Sequence, residues 1–406
     1  MIVTLPNTKK LSSMKKTSFK AFFWCFALLP LVSCSQDEPL ETNLPETKKP
    51  VSHKLTVDEA INRSYGYILD VATSETRAVS REISSVECIT SKLATRGGAQ
   101  DTLLYLVNYA DNAGFLLMST DDRLYPVYAF SDTGNLNLND TTFNVPLRNY
   151  MAGVTADIAN VMDSADFPGI GIGGGDGGLI NGKDIIQPKL TPYQSYMHQS
   201  APFNAECPLV NGQRPVAGCV PVACEMALSY FKSPVTYKND VYHWDEMNVG
   251  ENDADIAKIL ARLGDKDNLQ TNYGVSSSGS ATLERYEQTF KNFGFPNMAH
   301  TNFTSKFAAG RLTREPIVVR GSGHAWVIDG LYKHEYKTAD STETMYLFHC
   351  VWGWGGSSNG YYRVDGDYRI QGEPPYYWEY DPQTGGPMNW TVTEIIYGFL
   401  TFMVIN

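Results

Sequence analysis

The stretch PVAGCVPVACEMALSYF, Pro215 to Phe231, holds two cysteines, Cys219 and Cys224. Cysteines this close serve as a disulfide, as metal ligands, or as one nucleophile beside an inert neighbour. Read as a helix, the stretch carries Pro221 in its first turn, where a missing N–H costs nothing. Ala223, Met226, Ala227 and Tyr230 then form an apolar stripe. The helical period turns the two sulfurs about 140° apart, so a bond between them is disfavoured. No Cys-x-x-Cys pair occurs in the chain and the nearest histidine is His243, which argues against a metal site. Cys224 reads as a small buried hydrophobe. Cys219 follows the permissive Gly218 at the helix N-terminus, where N–H groups and the dipole favour an anion. The placement predicts a thiol of lowered pKa, the requirement for a cysteine nucleophile. A buried structural cysteine is the alternative.

A cysteine nucleophile needs a base. Of the seven histidines, His324 opens a strand-like run, HAWVIDG, directly after the glycine loop Gly321-Ser322-Gly323. Small residues there leave room for a substrate backbone. His349 lies inside a strand-like run and reads as packed or half-exposed. Acyl transfer also needs an oxyanion donor, and Gln213, six residues before Cys219, carries an amide that can serve.

The elements that must position these groups come in two sets. Thr56-Val-Asp-Glu59 is a capping-box pattern ahead of an amphipathic run. The runs TLLYLVNYA and GFLLMST flank Asp111-Asn112-Ala113 as a hairpin would. Residues 56–160 thus read as a small α+β unit. The glycine-rich stretch Phe167 to Asp184 is expected to hold no regular structure, making 161–189 a flexible, protease-accessible linker with Lys183 and Lys189 as cleavage points. Residues 190–406 follow, with helical patterns over 219–231, 254–263 and about 281–292, and strand patterns from 316 onward. Helices first and sheet second predict an α+β domain of two subdomains with a cleft between them.

The N-terminus reads as a targeting segment. Lys15, Lys16 and Lys20 precede an apolar run, Ala21 to Ser33, that is too short to span a bilayer. It ends in LVSC, similar to a bacterial lipobox, with Cys34 as the lipidated residue. Residues 1–33 are then a signal peptide and 34–55 a tether. The expectation is an exported outer-membrane lipoprotein, held by its lipid alone; the acidic SQDEP after Cys34 resembles a cell-surface export signal. The five remaining cysteines are an odd number and form no disulfide framework. A net charge of −11 argues against nucleic-acid binding.

GCVPVACEMALSYF, GSGHAWVIDG and FHCVWGWGGSSNGYYRV, in this order, resemble the streptopain family of papain-like cysteine peptidases. YHWDEM (Tyr242 to Met247) and NYGVSSSGS (Asn272 to Ser280) extend the likeness, and residues 56–160 are similar to that family's inhibitory prodomain. The resemblance implies a papain-like fold and a zymogen that acts on protein or peptide substrates, needs no cofactor or metal, and has its own prodomain as intramolecular inhibitor. Cys219 would be the nucleophile, His324 the base and acid, and Gln213 the oxyanion glutamine. Trp352 and Trp354 would shield or orient the histidine. Ser278, Gly279, Ser280, Gly321, Ser322 and Gly323 would line the substrate cleft, with Trp354 beside them. One departure stands out: the family pattern has Asn immediately before WGWGG, where this chain has Val351, which cannot accept a hydrogen bond from an imidazole. Two other readings follow: a cysteine amidase of the same chemistry, and a catalytically weak or inactive surface binding protein or protease inhibitor of the same fold.

Overall fold

A computed structural model of the chain describes residues 52–68, 81–90, 101–138, 145–163, 179–279, 282–321, 323–337, 342–363 and 394–397. Helix α1 (Val57–Ile68) starts at the capping box: Glu59 Oε2 accepts from the Thr56 N–H at 2.8 Å, and Thr56 Oγ1 accepts from the Glu59 N–H at 3.3 Å. Four antiparallel strands follow: β1 (Ile83–Thr90), β2 (Thr102–Tyr109), β3 (Phe115–Ser119) and β4 (Val127–Ser131). β2 and β3 are the predicted hairpin. Helix α2 (Val145–Asp163) packs on them and donates the Tyr150 hydroxyl to the Tyr128 carbonyl.

Strand β5 (Leu179–Ile186) corrects the expectation of an unstructured 161–189 segment, as does α2, which extends to Asp163. The helical lobe follows, with α3 (Pro192–Ser195), α4 (Cys219–Phe231), the small hairpin β6 (Thr236–Tyr237) and β7 (Asp240–Val241), α5 (Trp244–Met247), α6 (Asp253–Gly264) and α7 (Leu283–Asn292). The last part is β8 (Ala299–Asn302), α8 (Ser305–Leu312), β9 (Ile317–Gly321), β10 (His324–Lys337), β11 (Thr342–Val351), β12 (Gly360–Arg363) and β13 (Glu394–Tyr397). The result is α+β, with the helical part preceding an antiparallel sheet. Among the described residues no helix is long and apolar enough to cross a membrane.

The front unit does not have a sheet of its own. All strands but β6 and β7 form one sheet, in the order β1-β2-β3-β4-β12-β11-β10-β9-β13-β8. β4 joins β12 through the pairs Phe130–Tyr361 and Ala129–Tyr362. Aromatic rings seal that seam: Phe130 stacks on Tyr361 at 4.8 Å, and Tyr150 meets Tyr362 edge-on at 5.5 Å. β10 is long enough to hold two neighbours on one edge. β9 pairs with His324–Ile328, and β5 takes over along Leu331–Tyr336.

The period of two along β9 and β10 deals side chains to two cores. Ile317, Val319, Trp326 and Ile328 join a core shared with the front unit's Phe130, Tyr150, Val154 and Ile158. Val318, Ala325, Val327 and Val351 face the other way, into the core of α4, α6 and α7. The two faces of β9 and β10 therefore carry different cores, one with α8 and continuous with the front unit, the other with the helical lobe.

Candidate active site

Helix α4 begins at Cys219, as the sequence predicts. Gly218 precedes it at φ +96°, a conformation an L side chain rarely adopts, and a Cβ there would lie 3.2 Å from Ser278 Cβ. Without a side-chain cap, the first-turn N–H groups stay available to the sulfur. The thiol lies among the backbone N–H groups of Ala325, Cys219 and Val220, with the Arg320 charge nearby, all of which favour a thiolate. Burial outweighs them and pushes the Cys219 thiol above its usual range. The expected lowering is thus corrected for this form of the chain: the donors are in place, but desolvation costs the anion more than they return. Cys224 is fully buried among α4 and α6 side chains, and all five described cysteines are free.

His324 opens β10, paired across the tight hairpin with Gly321, and Gly323 takes φ +72° in the turn. Its Nε2 lies 2.9 Å from the Trp352 carbonyl oxygen. A carbonyl only accepts, so Nε2 carries the hydrogen and Nδ1 keeps the lone pair a general base needs. The Trp354 ring lies parallel to the imidazole, 4.9 Å between centroids and 11° between planes, and the Trp326 ring at 6.0 Å and 12°. His324 as a whole is 7% exposed. Burial holds its pKa down to about 4 against the pull of the Trp352 carbonyl, which favours the cation. Among the described residues, no hydrogen bond joins the Cys219 thiol to His324; the imidazole is held by the Trp352 carbonyl, and the thiol lies near the Ala325 N–H. The two sit on adjacent elements with neither charged at neutral pH.

The missing asparagine is explained by the same geometry. Val351 is fully buried in the helical-lobe core, opposite Val327, so its side chain is packing. The imidazole's acceptor is instead the carbonyl of the next residue. Trp352 therefore serves through its backbone, while its indole turns away to donate to the Ser358 carbonyl at 2.9 Å. Trp354 is the ring that covers the histidine. Trp326, two residues after His324 on the same strand face, was not anticipated, although that spacing is the signal for it.

The other predicted residues divide. Gln213 is exposed at the end of the Asn211-Gly212 turn, its backbone exchanging two hydrogen bonds with Val210, and its amide has no partner among the described residues. The Ser278 hydroxyl donates to the Val216 carbonyl at 2.6 Å and accepts from the Gly274 N–H, which ties its loop to the approach of Cys219. The Gly279 N–H is held by the Asn272 carbonyl. Gly321 is buried and Gly323 exposed. Ser280, Ser322 and Cys34 lie outside the described residues. His349 is packed: its Nδ1 lies 2.6 Å from Asp329 Oδ1, and Asp329 Oδ2 accepts the N–H groups of Lys189 and Leu190 at 3.0 Å each. A His53, Asp121 and Asp122 cluster has cation-binding spacing, but Arg123 occupies both Asp121 oxygens, at 2.9 and 2.7 Å.

Residues 197–362 match the Peptidase C10 family, and residues 52–157 match the Spi protease inhibitor family. Streptopain of Streptococcus pyogenes is 22% identical over 332 residues, spanning 68% of this chain and 77% of that protein. The thiol protease/hemagglutinin PrtT of Porphyromonas gingivalis is 24% identical over 311 residues, 64% of this chain and 34% of that longer protein. A solved prointerpain A fragment from Prevotella intermedia aligns with a TM-score of 0.48 at 18% identity, covering 77% of this chain and 98% of that one. Residues 197–362 are thus a peptidase domain of the streptopain-like C10 family of cysteine peptidases, preceded over residues 52–157 by an inhibitor-type prodomain as in a zymogen.

Proposed function

We propose that the chain is an exported, Cys34-lipidated outer-membrane zymogen of a cysteine endopeptidase, with the cell surface as its place of action. The observation that carries the catalytic part is the backbone setting of the two groups. The Cys219 sulfur lies near the Ala325 N–H, one residue from the base, and His324 Nε2 donates to the Trp352 carbonyl. Catalysis requires the imidazole to keep that second contact while its Nδ1 meets the thiol. The proton then passes from sulfur to Nδ1, and the thiolate attacks the peptide carbonyl. The Cys219 N–H and the exposed Gln213 amide receive the oxyanion. The imidazolium protonates the leaving amine, and water, deprotonated by His324, hydrolyses the thioester. No step calls for a cofactor.

The prodomain supports the zymogen part of the reading. It supplies strands to the catalytic sheet and shares a core with Trp326 and Trp352, the residues next to the base. Inhibition would then act through the back of the sheet, by holding the imidazole in its buried, uncharged place. Casein cleavage by the chain from Ser35, with and without limited trypsin, in reductant and beside Cys219→Ala, tests this. Activity that appears only after trimming and vanishes in the variant is expected. No cleavage by any trimmed, folded sample would favour the second reading, an inactive surface binding protein, whose supporting observation is the absence of a Cys219–His324 hydrogen bond among the described residues.

A further inference from the structure

The carbonyl that holds His324 belongs to a loop, Trp352 to Asn359, and the loop is closed by one side chain. Asn359 Oδ1 accepts the Trp352 N–H at 3.0 Å, and Asn359 Nδ2 donates to the Ser195 carbonyl at 2.8 Å. The two partners fix the orientation of the amide: an N–H requires the oxygen, a carbonyl requires the nitrogen. Asn359 is buried, at 9% exposed. The Trp352 residue is thus held at its amide by Asn359, at its indole by the Ser358 carbonyl, and at its own carbonyl by His324. The same loop brings Trp354 over the imidazole. Its backbone needs such a clasp. Gly353, Gly355, Gly356 and Ser358 all take positive φ, so the segment has little preference of its own for this path.

We propose that Asn359 is the positioning residue for His324: by clasping the Trp352 amide and tying it to Ser195, it fixes the backbone carbonyl that orients the imidazole. It does from behind the backbone what Val351 cannot do with a side chain. Asn359 touches neither substrate nor reacting atoms, and its effect is on the population of the productive imidazole. Losing it lowers kcat and leaves substrate contacts, hence KM, nearly as they were. A misplacement of the base by about 1 Å costs on the order of a hundredfold.

This inference rests on the peptidase reading, and the experiment separates the two. The full chain is processed by limited trypsin, and casein-derived peptide hydrolysis is measured for wild type, Asn359→Leu and Asn359→Asp. Asn359→Leu keeps the volume and removes both hydrogen bonds; it is expected to lower kcat roughly 10- to 100-fold with KM within about twofold. Asn359→Asp keeps the acceptor for the Trp352 N–H but sets a carboxylate oxygen against the Ser195 carbonyl, and its kcat is expected to fall between those of wild type and Asn359→Leu. Should the leucine variant not fold, Asn359→Ser, too short to reach the Trp352 amide, is read the same way. An active wild type with an equally active, folded Asn359→Leu or Asn359→Ser overturns the proposal alone, as does a loss in Asn359→Asp as large as in Asn359→Leu. A folded, processed wild type without activity overturns the peptidase reading and this proposal with it.

Discussion

The two halves of the site have opposite surroundings. The thiol is ringed by N–H groups, the start of α4 and an arginine charge, a setting made for an anion. The imidazole lies between indoles with a single neutral carbonyl as partner, a setting that keeps it uncharged, with a pKa near 4. A thiolate–imidazolium pair needs both partners charged. Burial keeps both partners neutral here, but the thiol already has donors that favour its anion, whereas only the Trp352 carbonyl favours the imidazole's cation, so the larger change an ion pair requires lies on the histidine's side. That is also the side on which the prodomain shares its core, through Trp326 and Trp352.

The comparison breaks most directly at the reacting groups. Cys219→Ala and His324→Ala are each expected to abolish hydrolysis by the processed chain, by roughly 10⁴-fold, and the double variant is expected to be no worse than either single, because the pair acts as a unit. Peptide hydrolysis assays check this. Retained activity in His324→Ala would place the base elsewhere.

Behind the thiol lies a group that must not become an anion. Glu225, on the same helix, is fully buried, and burial raises its carboxyl to about 8, only partly offset by Gln194. Its unfolded value is near 4.5, so the folded chain holds a proton the unfolded chain has released over that window, and stability falls as pH rises from 4.5 to 8. The penalty reaches roughly 4 kcal/mol at its alkaline end. Glu225→Gln is expected to be more stable than wild type at pH 8.5 and nearly equal at pH 5, measured by urea unfolding. An equal gain at both values would show that the site was never protonated.

His324 carries the opposite sign. Its folded value lies below the unfolded one of about 6.5, so stability is full at neutral pH and is lost as pH falls from 6.5 toward 4, by up to about 3 kcal/mol. Urea unfolding of the full chain across this range should show the decline, and His324→Gln should flatten it. A wild-type curve as flat as the variant's would mean the imidazole is already solvated.

Much of this was legible in the residues and some could not be. Pro221 and the apolar stripe marked the start of α4 at Cys219, and Thr56 with Glu59 marked α1, because caps and periodicity are local signals. The hairpin turn before His324 was legible from its glycines. The acceptor for the imidazole was not: a backbone carbonyl has no residue signature, and Val351 pointed to no acceptor at all. Nor was the β4–β12 pairing, since the strands lie over 200 residues apart and pair through backbone atoms any residue carries. β5 was hidden by its glycine-rich flank, because strand pairing with β10 outweighs a poor local propensity. The thiol's pKa was misjudged for a related reason: the helix N-terminus is visible in sequence, whereas the burial that outweighs it comes from distant segments.

The sharpest test of the difference between the two sides is the reactivity of the thiol itself. In the full chain, Cys219 is a half-buried thiol raised above its usual range, beside an uncharged imidazole. Its alkylation by iodoacetamide, followed on the Cys219 peptide by mass spectrometry, should therefore be slow at pH 6 and climb only as the pH passes the ordinary thiol range. Processing that frees the imidazole should let the same sulfur ionise against a cation, and alkylation at pH 6 should rise roughly a hundredfold, with a plateau through neutral pH. Exposed Cys88, on the prodomain strand β1, serves as the internal control in the full chain, and added glutathione serves after processing. If Cys219 already reacts fast at pH 6 in the full chain, the ion pair exists before processing and latency must come from a blocked cleft. If it stays slow after processing in a chain that cleaves casein, the thiol attacks without a preformed ion pair, and His324 acts as a general base during the attack.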